Sequence, residues 1–234
     1  MDSVSVRGMH SALAALRTRL DALAPAPRPA GPAWSTGLPA LDAALGGGIT
    51  RQGITELVGA RASGRTTLAR RLVAQVLQAG RWVAVIDATR TLAPQDWAGL
   101  GARLVVIRPP DAERAPWCAD RLLRSGVFAL VLLDGVPVLP RAVSVRLAQL
   151  ARDRDTALLV LGAAGTATPV VSGSGSVRLH VQGERPAMVT VERGGAPQRV
   201  PMPRVLAIRP RLPLRWTGAD RRGVATTARA RGRR

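Results

Sequence analysis

The stretch GITELVGARASGRTT, residues 53–67, joins an apolar run to a glycine-rich loop. The run Gly53–Val58 predicts a buried strand, and Thr66–Gln78 predicts a helix. The loop between them matches the pattern G-x-x-x-x-G-K-[ST] except at Arg65, where the pattern has lysine. In such a loop, backbone N–H groups converge on a phosphate at a helix N-terminus. The stretch therefore predicts an α/β fold with a phosphate-binding loop.

The candidate nucleotide-binding residues are those of the loop and one acid from a later strand: Gly59, Gly64, Arg65, Thr66, Thr67 and Asp134. Asp134 ends the apolar run Phe128–Asp134, where a Mg²⁺-orienting acid belongs, although a strand-end acid without a metal gives the same pattern. An arginine is broader than a lysine and fits a small phosphate cradle less easily. We therefore expect no enzymatic activity, no required cofactor, and at most weak binding of ATP and Mg²⁺.

The rest of the chain alternates between strand and helix patterns. Continuous apolar runs predict buried strands at residues 82–87, 103–107, 128–134 and 156–161. Helical patterns separate them at residues 118–124 and 140–151. This order predicts a mostly parallel sheet flanked by helices, with Trp82 in the core. Residues 176–182 and 188–192 alternate apolar and polar side chains, which predicts antiparallel strands near the C-terminus.

The composition excludes several classes of protein. The chain has 234 residues, of which 47% are hydrophobic, enough for one domain with a full core. No run of about 18 uncharged apolar residues predicts a membrane span. The single Cys118 excludes an internal disulfide and favours a cytoplasmic location. Two distant histidines, His10 and His180, and one cysteine are too few for a metal site.

Four parts of the chain differ in composition. The prediction is an amphipathic helix at 1–24, a proline-rich linker at 25–33, the α/β core at 34–208 and an arginine-rich tail at 209–234. The helix carries an apolar seam that packs either on the core or on a partner. The seam residues are Met9, Leu13, Leu16, Leu20 and Leu23.

The charge is strongly positive and uneven. The formal net charge is +19, and ten arginines against one acid lie between Arg204 and Arg234. Such a tail predicts weak binding of DNA, and a solvated terminus is the alternative. The candidate DNA-binding residues are Arg215, Arg221, Arg222, Arg229, Arg231, Arg233 and Arg234.

Several motifs, taken together, resemble the core of RecA proteins. They are WSTGLPALD at 34–42 with LGGG at 45–48, GITELVGARASGRTT at 53–67, VAVIDATRTLAP at 83–94, FALVLLD at 128–134, and SVRLHV at 176–181. The resemblance covers roughly residues 34–192 and implies a RecA-like P-loop core.

The chain departs from the RecA pattern at the positions that matter for activity. Thr89 stands where RecA proteins carry a catalytic glutamate, two residues after Asp87. The glutamine that senses the γ-phosphate is replaced near Gly162. The first DNA-binding loop, after Asp134, is missing, and the second is reduced to Ala163–Gly175. Prolines of the linker occupy the place of the strand that RecA donates to its filament neighbour.

A short RecA-like chain with a degraded site, an apolar helix seam and an arginine-rich tail resembles the ImuA family. This resemblance implies a role in the SOS response and translesion synthesis, with RecA, ImuB, an error-prone replicative-type DNA polymerase and DNA as partners at the nucleoid. The expected function is a non-hydrolysing RecA-like adaptor. An active ATP-dependent recombinase paralogue and a SulA-like inhibitor of cell division are the alternatives.

Overall fold

The computed structural model describes residues 31–163, 170–171, 176–183 and 187–202. In chain order the elements are β1 (Ala33–Trp34), α1 (Pro39–Ala44), β2 (Ile49–Thr50), β3 (Ile54–Gly59), α2 (Arg65–Gln78), β4 (Trp82–Asp87), α3 (Pro94–Trp97), β5 (Leu104–Ile107), α4 (Ala115–Ser125), β6 (Phe128–Asp134), α5 (Arg141–Asp153), β7 (Ala157–Ala163), β8 (Val177–Gln182), β9 (Met188–Arg193) and β10 (Arg199–Pro201). Single 3₁₀ turns lie at Ala98–Leu100 and Ala112–Arg114.

Eight of the strands form one sheet, in the order β10-β9-β8-β3-β7-β6-β4-β5. All pairings from β8 to β5 are parallel, whereas β9 pairs with β8 and with β10 in antiparallel fashion. A separate antiparallel pair joins β1 to β2. The predicted fold class, a mostly parallel sheet with antiparallel strands at its C-terminal end, is confirmed.

Helices cover both faces of this sheet. Leu57, Val85 and Leu132 share one apolar cluster with the buried face of α2. The alternate residues of the same strands, among them Ile86 and Leu133, share a second cluster with α4 and α5. Since side chains alternate across a strand, burial on both faces explains why these strands are continuous apolar runs.

The central strand β3 lies between β7 and β8 and is buried along its whole length. Its one charged residue, Glu56, is therefore fully buried. The Glu56 carboxylate forms an ion pair with Arg178 of β8 at 2.9 Å and accepts a hydrogen bond from the backbone N–H of Val170 at 2.7 Å. Arg178 also contacts the carboxylate of Glu192 on β9 at 2.8 Å. One guanidinium thus joins three neighbouring strands.

Several boundaries differ from the sequence predictions. The helix predicted from Thr66 begins at Arg65, and Ala33, which the sequence assigns to the linker, pairs with Thr50 in the small sheet. The prediction that Trp82 belongs to the core is wrong: its side chain is 40% exposed, because it is the first residue of β4 at the open amino end of the sheet. The sequence did not predict β1, β2, α1, α3 or β10.

Candidate nucleotide-binding site

The phosphate-binding loop connects the carboxyl end of β3 to the first turn of α2, as the sequence predicts. Gly64 precedes the helix with φ of +94°, a conformation that glycine adopts without strain. A Cβ atom on Gly59 would lie 2.5 Å from Ser63 Oγ and 2.8 Å from the carbonyl oxygen of Val181. Both motif glycines are therefore required by the path of the backbone.

This loop forms one wall of a cleft of about 490 Å³. Thr66 and Thr67, in the first turn of α2, are exposed on this wall. The segment after β4, with Thr89 and Thr91, forms the opposite wall, and Asp134 lies at the end of β6. Apolar side chains from the sheet, from the loop before α3 and from α3 itself complete the lining: Val85, Leu132, Leu161, Leu92 and Trp97.

Arg65 is hydrogen-bonded to the ends of two strands. Its Nη1 donates to the carbonyl oxygen of Gly59 at 3.1 Å and also to that of Gly162, at the end of β7. Its Nε is buried and has no hydrogen-bond partner among the described residues. No described carboxylate forms a direct ion pair with this guanidinium, whose hydrogen bonds go to carbonyl oxygens, although its charge acts on the nearby carboxyl group of Asp134.

Asp134 lies opposite Asp87 in the register of β6 and β4. Burial raises the pKa of Asp134 above its ordinary value. The charge of Arg65 acts in the other direction, and the neighbouring carboxylate of Asp87 adds to the increase in that pKa. A carboxyl group whose pKa is raised by burial is a suitable ligand for a cation, because a cation would compensate its desolvated charge.

Asp87 itself is engaged in holding the next loop. Its buried carboxylate accepts hydrogen bonds from the backbone N–H groups of Thr91 and Leu92 at 3.1 and 3.3 Å. It also forms an ion pair with Arg108 at 3.0 Å. These contacts fix the loop that carries Thr89, whose hydroxyl lies 2.8 Å from that of Thr91. The cleft therefore presents a short hydroxyl where the RecA pattern has a carboxylate.

The structure brings the predicted nucleotide-binding residues together. Gly64, Arg65, Thr66, Thr67 and Asp134 all line the cleft, and Gly59 lies at the base of the loop. The predicted partner helix and the predicted DNA contacts lie outside the described residues: Met9, Leu13, Leu16, Leu20, Leu23, Arg215, Arg221, Arg222, Arg229, Arg231, Arg233 and Arg234.

Two features of the site were not predicted. The turn of Arg65 towards carbonyl groups depends on Gly162, which lies 97 residues further along the chain. The position of Thr89 depends on Gly135, because a Cβ atom there would lie 2.2 Å from Thr89 Cγ2. Gly135 also has φ of +82°. A glycine directly after an apolar run was the only local signal for this close contact.

Two searches of the described residues gave no candidates. Within residues 31–163 and the described segments that follow, no group of three His, Cys, Asp or Glu side chains is placed to hold a metal ion. In the same part of the chain, every helix is too short or too polar to cross a bilayer.

Comparisons with known proteins agree with the geometry of the loop and sheet. The chain is 42% identical over 106 residues to protein RecA of Picosynechococcus, and 44% identical over 113 residues to protein RecA of Deinococcus radiodurans. It is 38% identical over 113 residues to the DNA repair protein recA homolog 1, chloroplastic, of Arabidopsis thaliana. These alignments cover 44%, 46% and 47% of this chain but only 30%, 31% and 26% of the relatives.

A solved structure and a family model extend this result. The RadB recombinase superposes with a TM-score of 0.55 at 22% identity, over 68% of this chain and 89% of the recombinase, which shows a shared fold. The model of the RecA N-terminal domain matches residues 29–148, just over half of the chain. The chain therefore belongs to the RecA N-terminal domain family.

Proposed function

We propose that this protein is a non-hydrolysing RecA-like adaptor of the ImuA type, acting in DNA-damage-induced mutagenesis. The observation that carries the proposal is the position of Arg65. Its guanidinium donates to the carbonyl groups of Gly59 and Gly162, in the place where a working loop keeps a mobile lysine. The positive charge that would bind the phosphates is instead hydrogen-bonded to the protein's own backbone.

Hydrolysis of ATP needs two further things from this cleft: charge stabilisation at the transferred phosphoryl group and a group that positions the attacking water. Arg65 is committed to the backbone, and Thr89 has no carboxylate to position water. Each loss is worth about 2–4 kcal/mol in comparable sites. Together they slow turnover roughly a thousandfold or more.

The residues present fit a Mg²⁺–nucleotide only in part. Thr66 and Asp134 would hold the cation, and the backbone N–H groups of the loop would bind phosphate oxygens. Bound Mg²⁺ would neutralise phosphate charge. The side chain of Arg65 would have to leave two carbonyl groups to contribute, which lowers the affinity. We therefore infer weak nucleotide binding that is not required for the function.

The partners follow from the resemblance to ImuA. The adaptor joins one face of a RecA filament through its RecA-like core. We expect it to offer no donor strand to the next subunit, because the sequence has prolines at 25, 27, 29 and 32, and prolines cannot supply the N–H groups of a strand ladder. The filament is capped, and damaged DNA passes from recombination to bypass by ImuB and an error-prone replicative-type polymerase. The basic tail holds the complex on DNA at the nucleoid.

Phosphate release measured with single-stranded DNA present tests the lack of hydrolysis. The expected result is a rate no higher than that of Asp134→Ala, since neither protein completes the site. Turnover comparable to that of RecA, abolished by Asp134→Ala, would contradict the proposal. It would favour the second candidate, an active recombinase paralogue, which gains support from the identity to RecA proteins and from the retained Thr66 and Asp134.

RecA-catalysed strand exchange tests the capping. Sub-stoichiometric wild-type protein should inhibit it, and Leu16→Asp should inhibit less if the apolar seam is the docking contact, because docking would bury a charge. Absence of inhibition together with absence of RecA binding eliminates the capping mechanism and leaves an adaptor of ImuB alone. Equal inhibition by both proteins retains capping and removes the seam from the contact.

A further inference from the structure

A row of three arginines and one tryptophan is exposed at helical spacing along α4 and its N-cap. Its members, called here the Arg-Trp stripe, are the N-cap residue Arg114 and the helical residues Trp117, Arg121 and Arg124; Ser125 is the other exposed residue of α4. Intervals of three and four residues place them on one side of the helix. All four are exposed, and Trp117 is 59% exposed.

Trp117 has no role in packing α4 on the sheet. The buried face of the helix consists of Ala115, Ala119, Asp120 and Leu123. The indole ring instead lies beside the guanidinium of Arg121, whose carbon Cζ is 5.3 Å from the ring centroid. This cation–π contact holds a large aromatic surface and a positive charge side by side in solvent.

The charges around the stripe are unequally compensated. Arg114 pairs with Asp111 at 3.7 Å, while Arg124 and Arg146 of α5 share Asp120, each at 2.8 Å. No described carboxylate forms an ion pair with Arg121. Glu113 is the one other acid between residues 111 and 125, so the surface that includes Arg146 is weakly positive.

We propose that the Arg-Trp stripe binds single-stranded nucleic acid, with a base stacked on Trp117 and phosphates contacted by Arg121 and its arginine neighbours. A single strand offers both groups that the stripe is equipped to bind, a π-face and a backbone of negative charge. An acidic protein surface would engage the arginines but leaves the exposed indole unexplained. The stripe lies on the face of the sheet opposite α2, so the proposal is independent of the nucleotide cleft.

The first test uses fluorescence anisotropy of a labelled oligothymidylate of about 20 nucleotides, longer than the roughly 4–16 nucleotides of typical single-strand sites. Trp117→Ala in the full chain should weaken binding about tenfold, whereas Trp117→Phe should retain most of it. Trp82→Ala is the matched control, because Trp82 is also exposed but lies at the amino end of the sheet, and it should bind like the wild type. Equal affinity of wild type and Trp117→Ala overturns the proposal.

The second test separates this site from other contacts. Oligothymidylate should quench tryptophan fluorescence of the wild type, and Trp117→Phe should reduce the quenching, because four other tryptophans remain. Quenching that is undiminished in this variant overturns the proposal. The logarithm of the binding constant should fall with the logarithm of the salt concentration, and Arg121→Gln should make this slope shallower by about 0.7. Polyglutamate is the probe for an acidic protein surface. If polyglutamate binds the protein through Arg121 but not through Trp117, and oligothymidylate does not bind through these residues, the stripe is a site for an acidic protein and the proposal is wrong.

Discussion

Two partly buried arginines, one on either side of β3, have hydrogen-bond partners that differ in charge. Arg178, on β8, is held between the carboxylates of Glu56 and Glu192. Arg65, at the start of α2, is held by the carbonyl oxygens of Gly59 and Gly162. Both side chains bridge neighbouring strands, and both are only partly accessible to solvent.

The difference lies in the charge of the partners. Two carboxylates form ion pairs with Arg178 and fix its position. Its charge is compensated within the protein, so an external anion would add nothing. Arg65 has carbonyl dipoles as its hydrogen-bond partners and acts on Asp134 only at a distance, so its positive charge lies in an open cleft without a direct ion pair among the described residues. We infer that Arg178 is a fixed part of the sheet. The carbonyl groups that hold Arg65 take the place of a ligand, so replacing Arg65 should lower the free energy of unfolding by less.

The largest expected effect comes from breaking the first arrangement. Glu56→Gln removes the fully buried negative charge beside Arg178 while keeping the shape of the side chain. We expect the free energy of unfolding to fall by about 3 kcal/mol, because the fully buried partner of Arg178 loses its charge and only the partly exposed Glu192 still compensates the guanidinium. Urea unfolding followed by circular dichroism measures this change.

Glu192→Gln is the matched control for that experiment. It removes the other carboxylate of Arg178, but Glu192 is 38% exposed. Exposed ion pairs contribute about 0–1 kcal/mol, so the loss should stay below about 1 kcal/mol. Equal losses of unfolding free energy in the two variants would show that the buried pair of Glu56 contributes no more stability than the exposed pair of Glu192.

A smaller effect is expected from Arg65→Met. The variant loses two hydrogen bonds from a charged donor and the attraction to Asp134, but it no longer holds a charge without a direct ion pair and a buried Nε without a hydrogen-bond partner. These contributions oppose each other, and we expect a net loss of about 1 kcal/mol in the same unfolding measurement. A loss as large as that of Glu56→Gln would contradict the view of Arg65 as a replaceable group.

Arg65→Lys sharpens the same comparison from the ligand side. Arg65 reaches both carbonyl groups with the one atom Nη1 of a rigid guanidinium, whereas a lysine has a compact ammonium on a flexible stem and restores the residue that the loop pattern contains. We expect the Tm of this variant to rise with the concentration of Mg-ADP, because a ligand that binds only the folded state stabilises it. The wild type should show a weaker rise, and identical curves would remove Arg65 as the obstacle to nucleotide binding.

The smallest effect is expected from Asp134→Asn, and it depends on pH. The folded state raises the pKa of Asp134, so ionisation of this group costs stability as the pH rises above 3.8, its ordinary value. Removing the charge should therefore stabilise the protein at pH 7, and the gain should disappear as the pH falls towards 3.8. Thermal unfolding at several pH values tests this, and a destabilised variant at pH 7 would reverse the assigned sign.

The sequence predicted the parts of this molecule that depend on local patterns. The apolar runs gave β3, β4, β6 and β7, since each strand is buried on both faces. The glycines of the loop were also predicted. The partners of Glu56 were not, because Arg178 lies 122 residues away and a charged residue inside an apolar run carries no mark of its partner. Trp82 was misjudged because hydrophobicity alone does not tell which end of a strand is open.

The order of strands in the sheet also determines when the phosphate loop can exist during synthesis of the chain. In the described sheet, the two neighbours of β3 are β7 and β8. Ile54 can therefore pair only after Leu158 has been made, and Thr55 can pair with Val177 only after that residue has been made. Pairings across such long separations form slowly, because the intervening chain must be closed first. A nascent chain on the ribosome therefore carries β3, which is buried along its whole length in the folded protein, without a strand partner until β7 has been made at residues 157–163. During that interval β3 is exposed to aggregation.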